Sequence, residues 1–381
     1  MKYLARVAMA IWGLVLVYHV FVGLTTAAWE GDSLAYHIPI AQRILNGDAW
    51  RRETFSDPFF YYPAWGEAIL AAMTATKIPV NLYNVLAWVW LFWAVKRLGK
   101  KLGLMSGMAV MLAASVALLN SVVRLLPTQT VDIWLAVFWT EALIRILNPE
   151  RSIKSITELG LWLGLLAGTK LSGVVYALLL PAFYGREWLR FINWKNGLTF
   201  LIIAGATGGL WYFRNLVFTG SFMPLPYETT VMGWVQNRGE DLPIVWRILV
   251  YHPGGVRLVI EALFSEYLIW GLAPLAVMFG RDKLGRLGAV MFWMYLFMPA
   301  GIGNVLSDFR YLFPAFIAMM TSIFFRWQKR GWGETLSTIS LGSMAAVLTQ
   351  LDFRPKLIVT YIFMAGIISL KLKTQSITIK N

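Results

Sequence analysis

Long apolar runs, each interrupted by a short polar or basic patch, make up most of the chain. An α-helix needs about 20 mostly apolar residues to cross the hydrocarbon core of a bilayer, and somewhat fewer where other helices flank it. By that rule the pattern predicts about twelve spans, near residues 7–28, 80–96, 104–122, 131–148, 156–169, 171–185, 197–213, 267–280, 287–303, 311–325, 335–350 and 357–370. The fold class expected is an all-α polytopic membrane protein. Lys2 and Arg6 precede an apolar stretch from Val7 to Ala28 that exceeds the h-region of a signal peptide, so it reads as a retained first span.

Two of the polar intervals are long, Trp29 to Pro79 and Arg214 to Glu266. Within the first, Pro39 to Asn46 puts Ile40, Ala41, Ile44 and Leu45 on one helical face and Gln42, Arg43 and Asn46 on the other. Pro39 suits a first turn and Gly47 a C-terminal stop, which predicts a short amphipathic helix lying on the membrane. A second short helix is expected from Ala64 to Ala75.

Composition agrees with the membrane reading. Of 381 residues, 58% are hydrophobic and only 14% charged, with 19 Trp, 15 Tyr and 23 Phe. A soluble surface needs roughly 25% charged residues, whereas aromatic rings collect at membrane interfaces. The net charge of +14 raises nucleic acid as a partner, but the basic residues sit in short clusters between apolar runs, such as Lys96, Arg97, Lys100 and Lys101. That distribution follows the positive-inside rule and argues against nucleic-acid binding. There is no Cys, which removes disulfides, thiolate nucleophiles and Cys-ligated metals.

With the N-terminus in the cytoplasm and sides alternating, cytoplasmic segments hold roughly 21 of the 34 basic residues and 6 of the 20 acids. Net charge is then near +15 inside and −1 outside, the asymmetry that insertion demands. Both long intervals fall outside, so any chemistry belongs to the extracytoplasmic face.

Five elements on that face carry candidate chemistry. Asp32, in the run Trp29-Glu30-Gly31-Asp32-Ser33-Leu34-Ala35-Tyr36-His37, stands where a hydrophobic helix meets water, a position that suits a general base. The alternative is a solvated interfacial acid. Asp132 enters the fourth span at the same depth and could pair with Asp32 or simply stabilise the helix start. Lys170, in Gly164-Leu165-Leu166-Ala167-Gly168-Thr169-Lys170-Leu171-Ser172-Gly173, is a lone cation in apolar surroundings, either a site residue or a snorkelling side chain. Arg214 and Arg310 close and open spans and read individually as interface anchors. Taken together, two acids and three cations suit a reaction in which a base deprotonates a hydroxyl while cations hold a departing phosphate. Asp32 and Asp132 are also the acids a hard divalent ion would use, although two carboxylates are few for a dedicated metal site. Glu141 and Arg145, four residues apart in the fourth span, are expected to pair with each other near its cytoplasmic end.

The ordered set resembles the GT-C superfamily of membrane glycosyltransferases, which includes protein O-mannosyltransferases and the aminoarabinose transferases of lipid A. The acid after the first span, Tyr36-His37 and the surface helix are similar to that family's first outer loop. The Gly164 to Gly173 run resembles its Gly-rich Thr-Lys segment, Arg214-Asn215…Thr219-Gly220…Pro224 its Arg-Asn…Thr-Gly-Asn-Pro motif, and Arg310-Tyr311 its late Arg-Tyr. Two departures stand out. Gly31 separates Glu30 from Asp32, and Ser221-Phe222-Met223-Pro224 follows Thr219-Gly220 without the Asn-Pro. The resemblance implies a catalytic membrane module over residues 1–315, followed by further helices and a basic tail over 316–381. It also implies a polyprenyl-phosphate sugar donor and a lipid, glycan or protein acceptor. Asp32 maps to the catalytic base, Lys170, Arg214 and Arg310 to the donor phosphate, and Asp132, Tyr36, His37 and Glu30 to acceptor and supporting roles. The rival reading is a polytopic transporter or lipid flippase. Transporters bury ionisable groups near the midplane and carry inverted repeats, neither of which dominates here.

Overall fold

The computed structural model describes residues 1–147, 152–189, 193–222, 255–278, 280, 282–297 and 309–348. The expected last span at 357–370 and the middle of the second long interval lie outside the described residues.

Among the described residues the chain is helical throughout, without strands. The helices are α1 (Lys2–Thr25), α2 (Ile38–Leu45), α3 (Trp65–Ala75), α4 (Tyr83–Lys101), α5 (Ser106–Ala117), α6 (Asn120–Val123), α7 (Asp132–Ile146), α8 (Ile153–Ala167), α9 (Leu171–Leu189), α10 (Trp194–Gly208), α11 (Leu210–Thr219), α12 (Gly255–Tyr267), α13 (Ala273–Met278), α14 (Lys283–Phe297), α15 (Phe313–Lys329) and α16 (Gly333–Leu348). The two surface helices expected of the first outer loop are α2 and α3. Ile40 and Ala41 of α2 are buried, Pro39 sits in its first turn, and Gly47 adopts φ +77° just beyond its end, a conformation open to glycine without strain.

Two helices form the heart of the bundle. Every residue of α7 except Arg145 is buried, and Phe313 to Phe324 of α15 are buried without a break. These two pack on each other; α4 lies between α5 and α7, α8 lies on α10, and α14 lies on α15. Small residues set the close approaches. Gly164 of α8 meets Thr207 and Gly208 of α10, and Gly288 of α14 meets Ala315 and Met319 of α15. The outer faces stay apolar: Leu14, Val17, Tyr18, Phe21 and Leu24 of α1, and Leu198, Leu201 and Ile202 of α10, are all exposed. Such rows suit contact with hydrocarbon, not water.

Lys2–Thr25 (mean hydropathy 2.2) and Val259–Met278 (1.4) are each long and apolar enough to cross a bilayer. The α10–α11 pair, bent by 60° at its junction, meets the same test as a unit. The other expected spans within the described residues are helical but shorter or more polar, so this criterion supports two or three spans where the sequence pattern suggests about twelve. A helix enclosed by neighbours, as α7 is, faces protein and needs neither full length nor uniform apolarity. The apolar stretch beginning at Val259 also starts well before the expected 267.

One expected ion pair is replaced. Glu141 does not pair with Arg145: it faces α4, where Arg97 and the Trp90 indole both donate to it, and Arg145 turns to Glu158 of α8 at 2.5 Å. With α7 packed on all sides, each charge is satisfied across a helix interface, not along its own helix.

A methyl group on Gly164 would stand 1.8 Å from Thr207 Oγ1 and 3.0 Å from the Ala204 carbonyl. Gly164→Ala is therefore expected to destabilise the bundle by about 1–3 kcal/mol, read as a lower melting temperature in detergent. Unchanged melting would mean that α8 and α10 are not in close register.

Candidate active site

Four chain segments converge at one end of α7 and α15. Asp32 lies where α1 has ended and a π-helical turn, Ser33–His37, begins. Glu30 shapes that turn, accepting from the Asp32 amide (3.1 Å), the Ser33 amide (2.8 Å) and the Ser33 hydroxyl (2.6 Å). Ser33 Oγ in turn accepts from the amide of Gln129 at 2.9 Å, which ties the outer loop to the segment entering α7. Asp132 is the first residue of α7, Lys170 fills the break between α8 and α9, and Arg310 lies in a 3-10 turn, Phe309–Leu312, that leads into α15.

The four charges form a single chain of ion pairs. Lys170 Nζ donates to Asp132 Oδ1 at 2.8 Å, Arg310 Nε stands 3.6 Å from Asp132 Oδ2, and an Arg310 terminal nitrogen donates to Asp32 Oδ2 at 2.8 Å. Asp132 is 3% exposed and Asp32 is 38% exposed, so the cluster has a sealed end and an open end. Lys170 also lies over the Tyr311 ring at 3.8 Å, a cation–π contact that replaces the snorkelling alternative. Asp132 is no side-chain cap, since both its oxygens face cations; its place at the positive end of α7 adds to its stabilisation.

Tyr36 belongs to the same neighbourhood. Burial first, and then the Asp32 charge, push its phenol well above the usual range, so it stays a protonated donor. Its ring stacks on Phe59 at 4.8 Å. His37 is buried and pairs through Nδ1 with Glu67 of α3 at 2.7 Å. Glu67 escaped the sequence reading; an acid inside the apolar run Trp65–Ala75 was the available signal. Arg214 is engaged elsewhere. It is 2% exposed, donates to the carbonyl of Phe60 and to Asn215 Oδ1, and lies 5.0 Å from both the Phe55 and Trp211 rings. Asn215 holds the Tyr61 carbonyl at 2.8 Å. This pair fastens the 58–61 turn of the outer loop.

A divalent ion does not fit between Asp32 and Asp132 in this arrangement, because the Arg310 guanidinium bridges them. Among the described residues no group of three or more His, Asp or Glu side chains converges either.

Among solved structures, the chain is similar to ArnT from Cupriavidus metallidurans in the apo state, with a TM-score of 0.57 and 13% identity over 95% of this chain and 74% of that one. It is similar to the same protein bound to undecaprenyl phosphate, with a TM-score of 0.55 and 15% identity over 97% and 71%. It is also similar to the apo oligosaccharyltransferase of Archaeoglobus fulgidus, with a TM-score of 0.50 and 13% identity over 94% of this chain but only 56% of that one. These likenesses are of fold. No protein-family model matches the sequence, and no curated protein matches it.

Removing Asp132 leaves Lys170 and Arg310 facing each other without a sealed counter-charge. Asp132→Asn should cost about 3 kcal/mol, the low end for breaking a buried pair because Lys170 keeps some exposure. The double change Asp132→Asn with Lys170→Met should recover much of the loss. Thermal melting of the purified protein checks both, and an unaffected single variant would mean that the cluster does not hold the bundle.

Proposed function

We propose that the chain is an integral membrane glycosyltransferase that moves a sugar from a polyprenyl-phosphate donor to an acceptor hydroxyl. The observation that carries this reading is the cluster of Asp32, Arg310, Asp132 and Lys170 where α7 and α15 begin, in a fold shared with ArnT. Its placement at the extracytoplasmic face, with the N-terminus in the cytoplasm and the chain crossing the bilayer many times, rests on the charge asymmetry of the loops. A lipid-linked donor is supported by the fold shared with ArnT, which binds undecaprenyl phosphate.

In this reading the reaction is a single inverting displacement. The acceptor oxygen attacks the anomeric carbon, and its proton passes to Asp32. The bond from that carbon to the phosphate oxygen breaks, with its electron pair leaving on the phosphate. Arg310 and Lys170 stabilise the growing charge, an electrostatic contribution of a few kcal/mol per well-aimed donor, roughly. Arg310 is the pivot. It is paired with Asp32, and its planar fork prefers the two oxygens of a phosphate. An arriving donor phosphate therefore takes Arg310 and leaves Asp32 free to accept a proton. Arg214, already committed to the Phe60 carbonyl, supports the loop instead of the phosphate. Tyr36 and His37 line the acceptor side.

Purified protein in lipid nanodiscs, given a radiolabelled polyprenyl-phosphate sugar and a hydroxyl acceptor, should release polyprenyl phosphate and form a glycosidic bond. Asp32→Asn is expected to abolish transfer yet bind undecaprenyl phosphate at least as tightly as the wild type, since Arg310 loses a competing carboxylate. Arg310→Gln should weaken that binding by tenfold or more, roughly. Movement of the lipid between leaflets without any new glycosidic bond would favour a flippase and remove the transferase reading.

A further inference from the structure

The guanidinium of Arg310 can serve both Asp32 and an incoming phosphate only if its own backbone is held in place, and the backbone on each side of it has an unusual pair of anchors. The carbonyl before Arg310, that of Phe309, accepts from the Tyr267 hydroxyl at 2.5 Å. The carbonyl after it, that of Tyr311, accepts from the Tyr176 hydroxyl at 2.6 Å. The two donors come from different helices, Tyr267 from the end of α12 and Tyr176 from α9. Both are buried, Tyr267 completely.

The Tyr267 ring is held by packing. Tyr267 stacks face to face on Phe316 of α15, centroids 3.5 Å apart and planes 6° from parallel, so the same side chain grips the turn and the helix that follows it. Immediately after Tyr267 the chain passes through Leu268 at φ +51°, in the left-handed region that a bulky side chain ordinarily avoids. Such strain persists only where the surroundings over-determine it, and it recurs at functional sites. Here it marks the point where α12 stops and hands over to the 268–272 turn, leaving Tyr267 pointed at Phe309. Tyr176 adds a link of its own, because the Tyr311 whose carbonyl it holds carries the ring beneath the Lys170 ammonium. One hydroxyl thus steadies the backbone beside Arg310 and the residue whose ring lies under the Lys170 ammonium.

We infer that Tyr267 and Tyr176 form a two-point clamp on the backbone flanking Arg310, and that they are positioning residues for the phosphate-binding cations. The inference rests on the transferase reading above and adds to it the parts that aim the cations. Neither tyrosine touches the substrate: each acts through Arg310, and Tyr176 also through the Tyr311–Lys170 contact. A clamp of this kind keeps the guanidinium from following Asp32 when the carboxylate is released, so the positive charge stays where the leaving group needs it.

The test uses full-length protein in nanodiscs, with undecaprenyl phosphate as the probe. Tyr267→Phe and Tyr176→Phe each delete one hydroxyl and keep the ring. Each should raise the dissociation constant roughly three- to tenfold, the range for losing one net hydrogen bond. In an Arg310→Gln background Tyr267→Phe should have no further effect on affinity, because the group it aims is gone. Melting temperature is measured in both backgrounds; a purely structural tyrosine would cost the same stability in each and leave lipid affinity alone. Unchanged affinity in both single variants, or an equal loss with and without Arg310, would overturn the clamp. Should Tyr267→Phe fail to fold, Tyr176→Phe carries the comparison: its effect on affinity should shrink without Arg310 to the part that passes through Lys170, and an undiminished loss would overturn the clamp. If the wild type itself fails to bind the probe, or binds it equally well without Arg310, the transferase reading falls first, a result plainly different from a neutral tyrosine.

Discussion

The interaction on which the rest of the structure depends is the one between Asp132 and the two cations that face it. α7 is buried along its length except at Arg145 and α15 from Phe313 to Phe324, and both start near this point: Asp132 opens the first, and Arg310 lies in the turn that leads into the second. An aspartate 3% exposed among apolar neighbours is tolerable only with its charge matched. Lys170 and Arg310 match it, and in doing so they bring the α8–α9 break and the entry to α15 to the same place. That convergence fixes the register of the packing, because two deeply buried helices have little freedom to slide once their first turns are joined.

Asp32 completes the balance at the open end, giving two acids against two cations. A neutral cluster can be held in a low-dielectric setting at modest cost, whereas an excess of either sign there could not. The phosphate-bearing ligand we propose would upset that balance on arrival, and the carboxylate at the open end is the member able to give way.

Much of this cluster could be read from the chain. Loop charges put Asp32, Asp132, Lys170 and Arg310 on one side and at similar depth, and depth is nearly a coordinate in a membrane protein. The short helices α2 and α3 were legible too, through Pro39, Gly47 and a period of 3.6. What escaped were partnerships between distant segments. Glu141 sits four residues from Arg145, so local spacing suggested a pair, but the orientation of α7 inside the bundle gave it Arg97 instead. The His37–Glu67 contact spans 30 residues and two helices, and no local rule joins them. Arg214 illustrates the converse. Its place in a motif suggests phosphate, and no local rule announces that it donates to the Phe60 carbonyl and to Asn215 Oδ1. Apolar runs enclosed by protein look like runs enclosed by lipid, and among the described residues two or three of the expected spans meet the length and apolarity test alone.

The bend between α10 and α11 has a consequence of its own. In an unbroken helix the oxygen of Thr207 would be taken by the amide four residues on. The 60° turn withdraws that amide, and the Trp65 indole docks on the vacant oxygen at 2.6 Å, while the Trp65 amide docks on Gly168 at 3.0 Å. An interruption that would otherwise leave a polar atom stranded thus becomes a socket, and α3 is moored to the bundle just two residues from Lys170.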